Sequence, residues 1–226
     1  MSKRKHKLII VAHPDDETLF FAGLLLSARR HPWKIICVTD GNADGGGKQR
    51  ATQLALAAKT LGAEELLYFN LPDHFDLRLD QSLLRKKLAA LEMPVEVYTH
   101  GPIGEYGHPH HQDVCFGVHK FYHNKCPVFA PAHNCLADKI IRLSDEEFKI
   151  KTKLLAKIYF SETQRFINFV PATSVETFAK FDFDEIKNIY LYLTNSKKLN
   201  PKKLEKYRWF LPYFSSFADK TKARPF

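Results

Sequence analysis

The 226-residue chain has no apolar run approaching the roughly 18–20 residues needed to cross a bilayer, which excludes a spanning helix from these residues. Lys3, Arg4 and Lys5 precede the apolar run Leu8 to Ala12, which is too short for a signal-peptide core and has no cleavage pattern. That run is expected to be a first strand, and the cytoplasm the default location. The four cysteines (Cys37, Cys115, Cys126, Cys135) form no C-x-x-C pair, which argues against a cysteine-based structural zinc site and for reduced thiols. Internal repeats and low-complexity tracts are missing too. The triplet Gly45-Gly46-Gly47 has neither G-x-G-x-x-G nor Walker spacing and does not directly follow a strand, so it reads as a flexible lid and not as a phosphate cradle.

Acidic residues are the scarcer charge, 25 against 34 basic, for a net charge of +9. The imbalance is local. Ten basic and only two acidic residues lie between Lys187 and Phe226, so this stretch carries +8 and the preceding 186 residues are close to neutral. The apolar fraction of 45% is ordinary for a globular protein, and the length is enough for a buried core.

Short β-branched runs alternate with helical patterns over the first two-thirds, which predicts βα units and a mostly parallel sheet. Strands are expected at Lys7–Ala12, Lys34–Thr39, Leu66–Phe69, Val95–Thr99 and Val128–Ala130. Helices are expected over about Glu17–Arg30, Lys48–Leu61 (stopped by Gly62), Gln81–Leu91 and Asp145–Tyr159, the last with Ser144 and Glu147 at capping-box spacing. The remaining Phe- and Tyr-rich sequence has a less regular period. Thr194–Pro201 is the best linker candidate, which divides the chain into a domain over 1–195 and a basic aromatic extension over 196–226.

Two clusters carry chemistry. His13-Pro14-Asp15-Asp16-Glu17 falls where the first strand should end and a helix begin, and His108-Pro109-His110-His111 follows the fourth strand. Ligand sites in open α/β sheets gather at the carboxyl ends of strands. Two imidazoles and a carboxylate with one position open form a familiar catalytic zinc arrangement. His13, Asp16 and His111 suit the ligand roles, Asp15 the general base, and His108 the acid or oxyanion donor. Plainer roles exist for each cluster alone. Asp15 and Asp16 can cap a helix, the histidines can form a solvated loop, and His110 can stand in for His111 as ligand. The joint pattern favours the metal.

The stretch Ala12-His13-Pro14-Asp15-Asp16-Glu17 resembles the AHPDDE signature of the PIG-L/LmbE-like zinc N-deacetylases, and His108-x-x-His111 resembles that family's second metal motif. Thr39-Asp40-Gly41, Arg50 and Leu61-Gly62 also match, over about residues 7–165. The resemblance implies a Rossmann-like three-layer fold and a zinc ion, with iron(II) suited to the same ligands. It implies hydrolysis of an N-acetyl group from an N-acetylglucosamine-type sugar or glycoconjugate. Its metal ligands fall on His13, Asp16 and His111, its base on Asp15 and its transition-state histidine on His108. Arg50 then points toward the substrate, its plainer role being an exposed helix arginine, and Asp73 is a hydroxyl acceptor or a turn residue. The sequence departs from the pattern at His110, where the family has Asp, and at Gln53, where it often has Glu.

Rival functions are an amidase for a larger N-acyl or thiol-sugar conjugate and a non-catalytic metal-binding module, against which Asp15 argues. The extension interleaves its lysines with Tyr207, Trp209, Phe210, Tyr213, Phe214 and Phe217. Its readings are a solvated face packed on the domain or peripheral contact with an anionic membrane, with nucleic acid the less favoured partner. Oligomeric state is not legible.

Overall fold

A computed structural model describes residues 5–166 and 171–217. Seven strands form one sheet in the order β3-β2-β1-β4-β5-β7-β6. The first five, β1 (Lys7–Val11), β2 (Trp33–Thr39), β3 (Glu65–Leu71), β4 (Glu96–Tyr98) and β5 (Val128–Pro131), are parallel to one another. Antiparallel β6 (Lys139–Arg142) and β7 (Val175–Ala179) extend the edge, β7 pairing with both β5 and β6. The expected mostly parallel α/β architecture is therefore present, with an antiparallel margin that short, half-exposed β6 did not announce in the sequence.

The apolar run of β1 has no polar alternation because both of its faces are covered. Ile9 and Val11 face the side packed by α1 (Asp16–Ser27) and α2 (Gly47–Leu61). Leu8, Ile10 and Ala12 face the side packed by α3 (Gln81–Ala89) and α4 (Pro109–Tyr122). This gives three layers. The helix α2 ends as expected, with Gly62 left-handed at φ 84° and its N–H returned to the Ala58 and Lys59 carbonyls.

The helix expected over Asp145–Tyr159 begins at its capping box, where Ser144 and Glu147 bond reciprocally. It is α-helical only as α5 (Asp145–Lys153), widens to a π turn over Leu154–Ile158, and continues as α6 (Phe160–Phe166). Gln53 Nε2 donates to the Ile158 carbonyl at 2.6 Å, so the amide that departs from the family pattern serves a carbonyl of this wide turn. A carboxylate there has no proton to give.

The helix α7 (Phe183–Leu193) and the segment beyond it build a third apolar cluster against α4. Leu204, Tyr207, Phe210 and Phe214 are buried in it with Ile186 and Ile189. The described part of the extension thus packs on the domain, and residues 218–226 lie outside the described residues. Among the described residues no helix is long and apolar enough to cross a membrane, and all four cysteines are free thiols.

Candidate metal centre and active-site pocket

Strand order reverses at β1, which is flanked by β2 on one side and β4 on the other. The crevice outside the carboxyl ends of such neighbours is where an open α/β sheet holds ligands. The loop after β1 and the loop after β4 meet there. The Ala12 amide donates to His100 Nε2 at 2.9 Å and the Thr99 hydroxyl to the Ile10 carbonyl at 3.0 Å.

Donor atoms of His13, Asp16 and His111 lie within 4.8 Å of one another, and all three residues are buried. His13 Nδ1 is 3.2 Å from His111 Nε2, and His111 Nε2 is 3.3 Å from Asp16 Oδ1. The protons of the two rings are assigned by their outer partners. His111 Nδ1 donates to Glu105 Oε2 at 2.6 Å, which leaves the Nε2 lone pair facing inward. His13 Nε2 faces His110 Nδ1 at 3.2 Å and Asp73 Oδ1 at 3.6 Å, which turns Nδ1 inward. Two lone pairs and a carboxylate converging in a buried space favour a positive charge among them. The donor set suits zinc or another divalent first-row ion. Each imidazole is backed by a carboxylate, Glu105 behind His111 and Asp73 behind His13, as metal-bound histidines generally are.

Electrostatics agree. Burial pushes His111 down to about 4, so its ring is neutral. Burial works to lower His13 as well, but the Asp73 and Asp16 carboxylates outweigh it and raise the ring to about 9. His13 therefore holds a positive charge at the spot when only a proton is available to supply it. Against the effect of burial, hydrogen bonds from neighbouring rings, His13 among them, keep Asp16 well below the usual carboxylate range.

Asp15 sits at the N-cap of α1 but caps nothing: its side chain accepts no amide bond, and its φ is 115°. Such a conformation is costly for a residue with a Cβ and persists only where the surroundings enforce it. Glu17 Oε2 accepts the Asp15 amide at 3.0 Å, and Tyr159 donates its hydroxyl to Glu17 Oε1 at 2.8 Å. Burial, then the neighbouring Asp16 charge, push the Asp15 carboxyl well above its usual value, with Arg50 opposing. The helix-capping role is thereby excluded for Asp15. Asp16 is likewise turned back, accepting the His13 amide at 2.8 Å.

His108 is the N-cap of α4 and its Nδ1 accepts the His110 amide at 3.2 Å, so the ring proton lies on Nε2. With His13, Asp15, Arg50 and Asp73 it lines a pocket of about 60 Å³, bordered by Tyr106 and Asp44. His110 directs Nε2 to the Leu77 carbonyl at 2.9 Å and Nδ1 toward Asp73 at 3.2 Å. A second cluster of His13, His108 and His110 exists, but it lacks the carboxylate that Asp16 brings to the first. The solvated-loop reading of these histidines is overturned, since all three are buried.

Arg50 is not the exposed helix arginine of the plainer reading, at 9% accessible. It donates to the Pro14 carbonyl at 3.0 Å and the Gly41 carbonyl at 3.3 Å, with Asp15 at 3.6 Å and Glu162 at 3.6 Å. Its visible work is to clamp the strained turn that carries Asp15. Asp73 is likewise more than a turn residue, since its carboxylate stands between His13, His110 and Arg50. His100, Glu105 and Glu162 were not singled out from sequence, and Glu17 was quoted in the first motif without a role. Position alone marked His100, at the carboxyl end of β4; Glu105 and Glu162 carry no local signal at all.

Comparisons with known proteins give the family and the fold. The family model PIG-L, described as GlcNAc-PI de-N-acetylase, matches residues 8–122, which include both motifs. A Dictyostelium discoideum protein named a probable N-acetylglucosaminyl-phosphatidylinositol de-N-acetylase is 27% identical over 132 residues, 54% of this chain and 51% of that one. The chain spans about half the length of the curated relatives that it matches over the longest stretches. The N,N'-diacetylchitobiose deacetylase of Pyrococcus horikoshii has a similar fold, with a TM-score of 0.64 and 18% identity, covering 80% of this chain and 85% of that one. So has a 4-carboxy-2-hydroxymuconate hydratase from Pseudomonas putida, with a TM-score of 0.55 and 15% identity over 79% of this chain and 96% of that one. One fold thus serves two named chemistries, and the assignment has to rest on the motifs and the family match. On those grounds the chain belongs to the PIG-L family.

Proposed function

We propose that this protein is a metal-dependent N-deacetylase acting on an N-acetylglucosamine-type sugar or glycoconjugate. The observation that carries the reading is the convergence of His13, Asp16 and His111 beside a pocket that Asp15 and His108 also line. A divalent ion held by those three residues, zinc first and iron(II) second, would polarise the amide carbonyl and acidify water. Asp15 takes a proton from the attacking water, whose oxygen bonds to the carbonyl carbon. The His108 Nε2–H hydrogen-bonds the oxyanion that develops, and as the C–N bond breaks the proton held by Asp15 passes to the departing nitrogen. Acetate and the free amine leave. Arg50 and Asp73 line the same pocket and can bond sugar hydroxyls, although their present partners show that both also hold the catalytic turn and His13 in place. Tyr106 also borders a larger groove of about 380 Å³ that includes Phe20, Asn134 and Thr177, room for the remainder of a glycoconjugate.

The test is acetate release from N-acetylated sugars in free, nucleotide-linked and lipid-linked form, with and without chelator. Asp15→Asn should keep its metal while turnover falls by about 10²–10⁴-fold, the usual worth of a general base. Asp16→Asn and His111→Ala should instead lose metal. Full activity in Asp15→Asn would remove the assigned base. Release of a longer acyl chain in preference to acetate would favour the amidase reading.

The basic extension fits contact with an anionic membrane. Trp209, Leu211 and Tyr213 are exposed on the segment whose Phe210 and Phe214 are buried, and Arg208, Lys202 and Lys203 are exposed near them in sequence. Sedimentation with anionic vesicles should decrease with salt and with lysine replacement. Equal recovery in the supernatant with and without vesicles removes that part of the reading and leaves the hydrolase untouched.

A further inference from the structure

Gly101 lies in the loop between β4 and the histidine motif, and its amide donates to Glu105 Oε1 at 2.7 Å. A Cβ placed on Gly101 would meet Glu105 Oε1 at 3.5 Å, the Tyr207 hydroxyl at 3.6 Å and His133 Cδ2 at 3.8 Å, and nothing nearer beyond its chain neighbours. A methyl group there would make only ordinary contacts, and polar side chains border the spot. The Tyr207 hydroxyl and His133 Nε2, the nitrogen bonded to that Cδ2, are buried without a hydrogen-bond partner among the described residues. Buried polar atoms in native proteins are paired, with ordered water where protein cannot reach.

We infer that a water molecule bound beside Gly101 joins Tyr207 and His133 to Glu105, which makes Tyr207 a positioning residue for the candidate metal ligand His111. This rests on the metal-site reading above. The Tyr207 hydroxyl donates to the water, and the water donates to Glu105 Oε1 and hydrogen-bonds His133 Nε2. Three partners are what a buried water ordinarily has. Glu105 Oε1 then takes the water and the Gly101 amide, while Oε2 is kept for His111 Nδ1 and His100 Nδ1. Tyr207 is itself placed from a distance: Glu185 of α7 accepts the backbone amides of Glu205, Lys206 and Tyr207 at 3.1, 3.2 and 2.8 Å. By this route the segment after the linker supports the ligand geometry without touching the metal or the substrate.

The test uses the full chain loaded with cobalt(II), compared among wild type, Tyr207→Phe, Gly101→Ala and the double variant. Phenylalanine keeps the ring, and the alanine Cβ makes only ordinary contacts while pointing into the space among Glu105, Tyr207 and His133 where the inferred water would lie. Gly101 is not in the left-handed region, so alanine brings no backbone strain. Each single variant should weaken cobalt binding by up to about tenfold, the lower end for outer-sphere partners, and shift the visible ligand-field bands. The double variant should lose no more than either single, since both remove one water. The metal-free melting temperature and KM should stay near wild type while kcat falls. Wild-type cobalt affinity and spectrum in both single variants overturn the inference. So does a lowered metal-free melting temperature with an unchanged spectrum, or a high-resolution crystal structure with no solvent peak beside Gly101. Failure of the wild type to bind cobalt would instead overturn the metal-site reading and this one with it.

Discussion

At the scale of single residues the site is governed by carboxylates that work on other side chains. Glu105 Oε2 accepts from both His111 and His100, and Oε1 accepts a backbone amide. Glutamine at this position has one acceptor atom and turns an N–H₂ group on the remaining donors. Glu105→Gln should loosen the metal by about 10–100-fold, read by competition with a chelator. Glu17 offers a pH test. Burial pushes its carboxyl up to about 7 from an ordinary 4.5, so the folded protein holds this proton more tightly than the unfolded chain does. Above about 4.5 the unfolded chain releases the proton first, and the group counts increasingly against the fold until pH passes about 7. In chelated protein, the melting temperature of Glu17→Gln relative to wild type should therefore rise across that interval and then level. A difference flat with pH would show that Glu17 titrates normally.

At the scale of elements, most of the sheet and its helices were legible. The β1 run, the Gly62 stop and the Ser144–Glu147 box follow from local chemistry: apolar area, a left-handed φ and a reciprocal hydrogen bond. The π turn was not legible, because its cause is tertiary: a donor from α2 reaches its Ile158 carbonyl, and buried Tyr159 just beyond it bonds Glu17. Gln53→Leu should cost about 1–3 kcal/mol through the carbonyl left unpaired, measured by denaturant unfolding. Stability within error of wild type would mean that water replaces the lost donor. The antiparallel pair β6 and β7 was also missed, since a four-residue strand with alternate exposure, such as β6, is a weak signal alone.

At the scale of the whole molecule, the extension is joined to the domain by an aromatic cluster and by polar side chains, Glu185 and Asn188 on its backbone and Asp138 on Lys206. Glu185 gathers three successive amides, and Tyr207, Phe210 and Phe214 bury their rings against α7 and α4. Glu185→Ala should raise hydrogen exchange at Glu205, Lys206 and Tyr207 well above that of the β1–β2 core. Unchanged protection would show that the aromatic cluster suffices. The sequence division at 196 marks a change in charge; packing continues across it.

The motif residues His13, Asp15, Asp16, His108 and His111 were identifiable from sequence because their types and spacing are the chemistry itself. Two imidazoles, two carboxylates and a further histidine at the ends of strands form the pattern expected of a metal hydrolase before any distance is known. What the tertiary structure decided is how those groups are held. Only folding brings Glu105 behind His111, Asp73 behind His13, Glu17 under the strained Asp15 amide and Arg50 onto the Pro14 carbonyl. The physical reason is range. A strand end and a helix start are written in neighbouring residues, whereas the partner of a buried polar atom is whatever the packed chain places within hydrogen-bond distance.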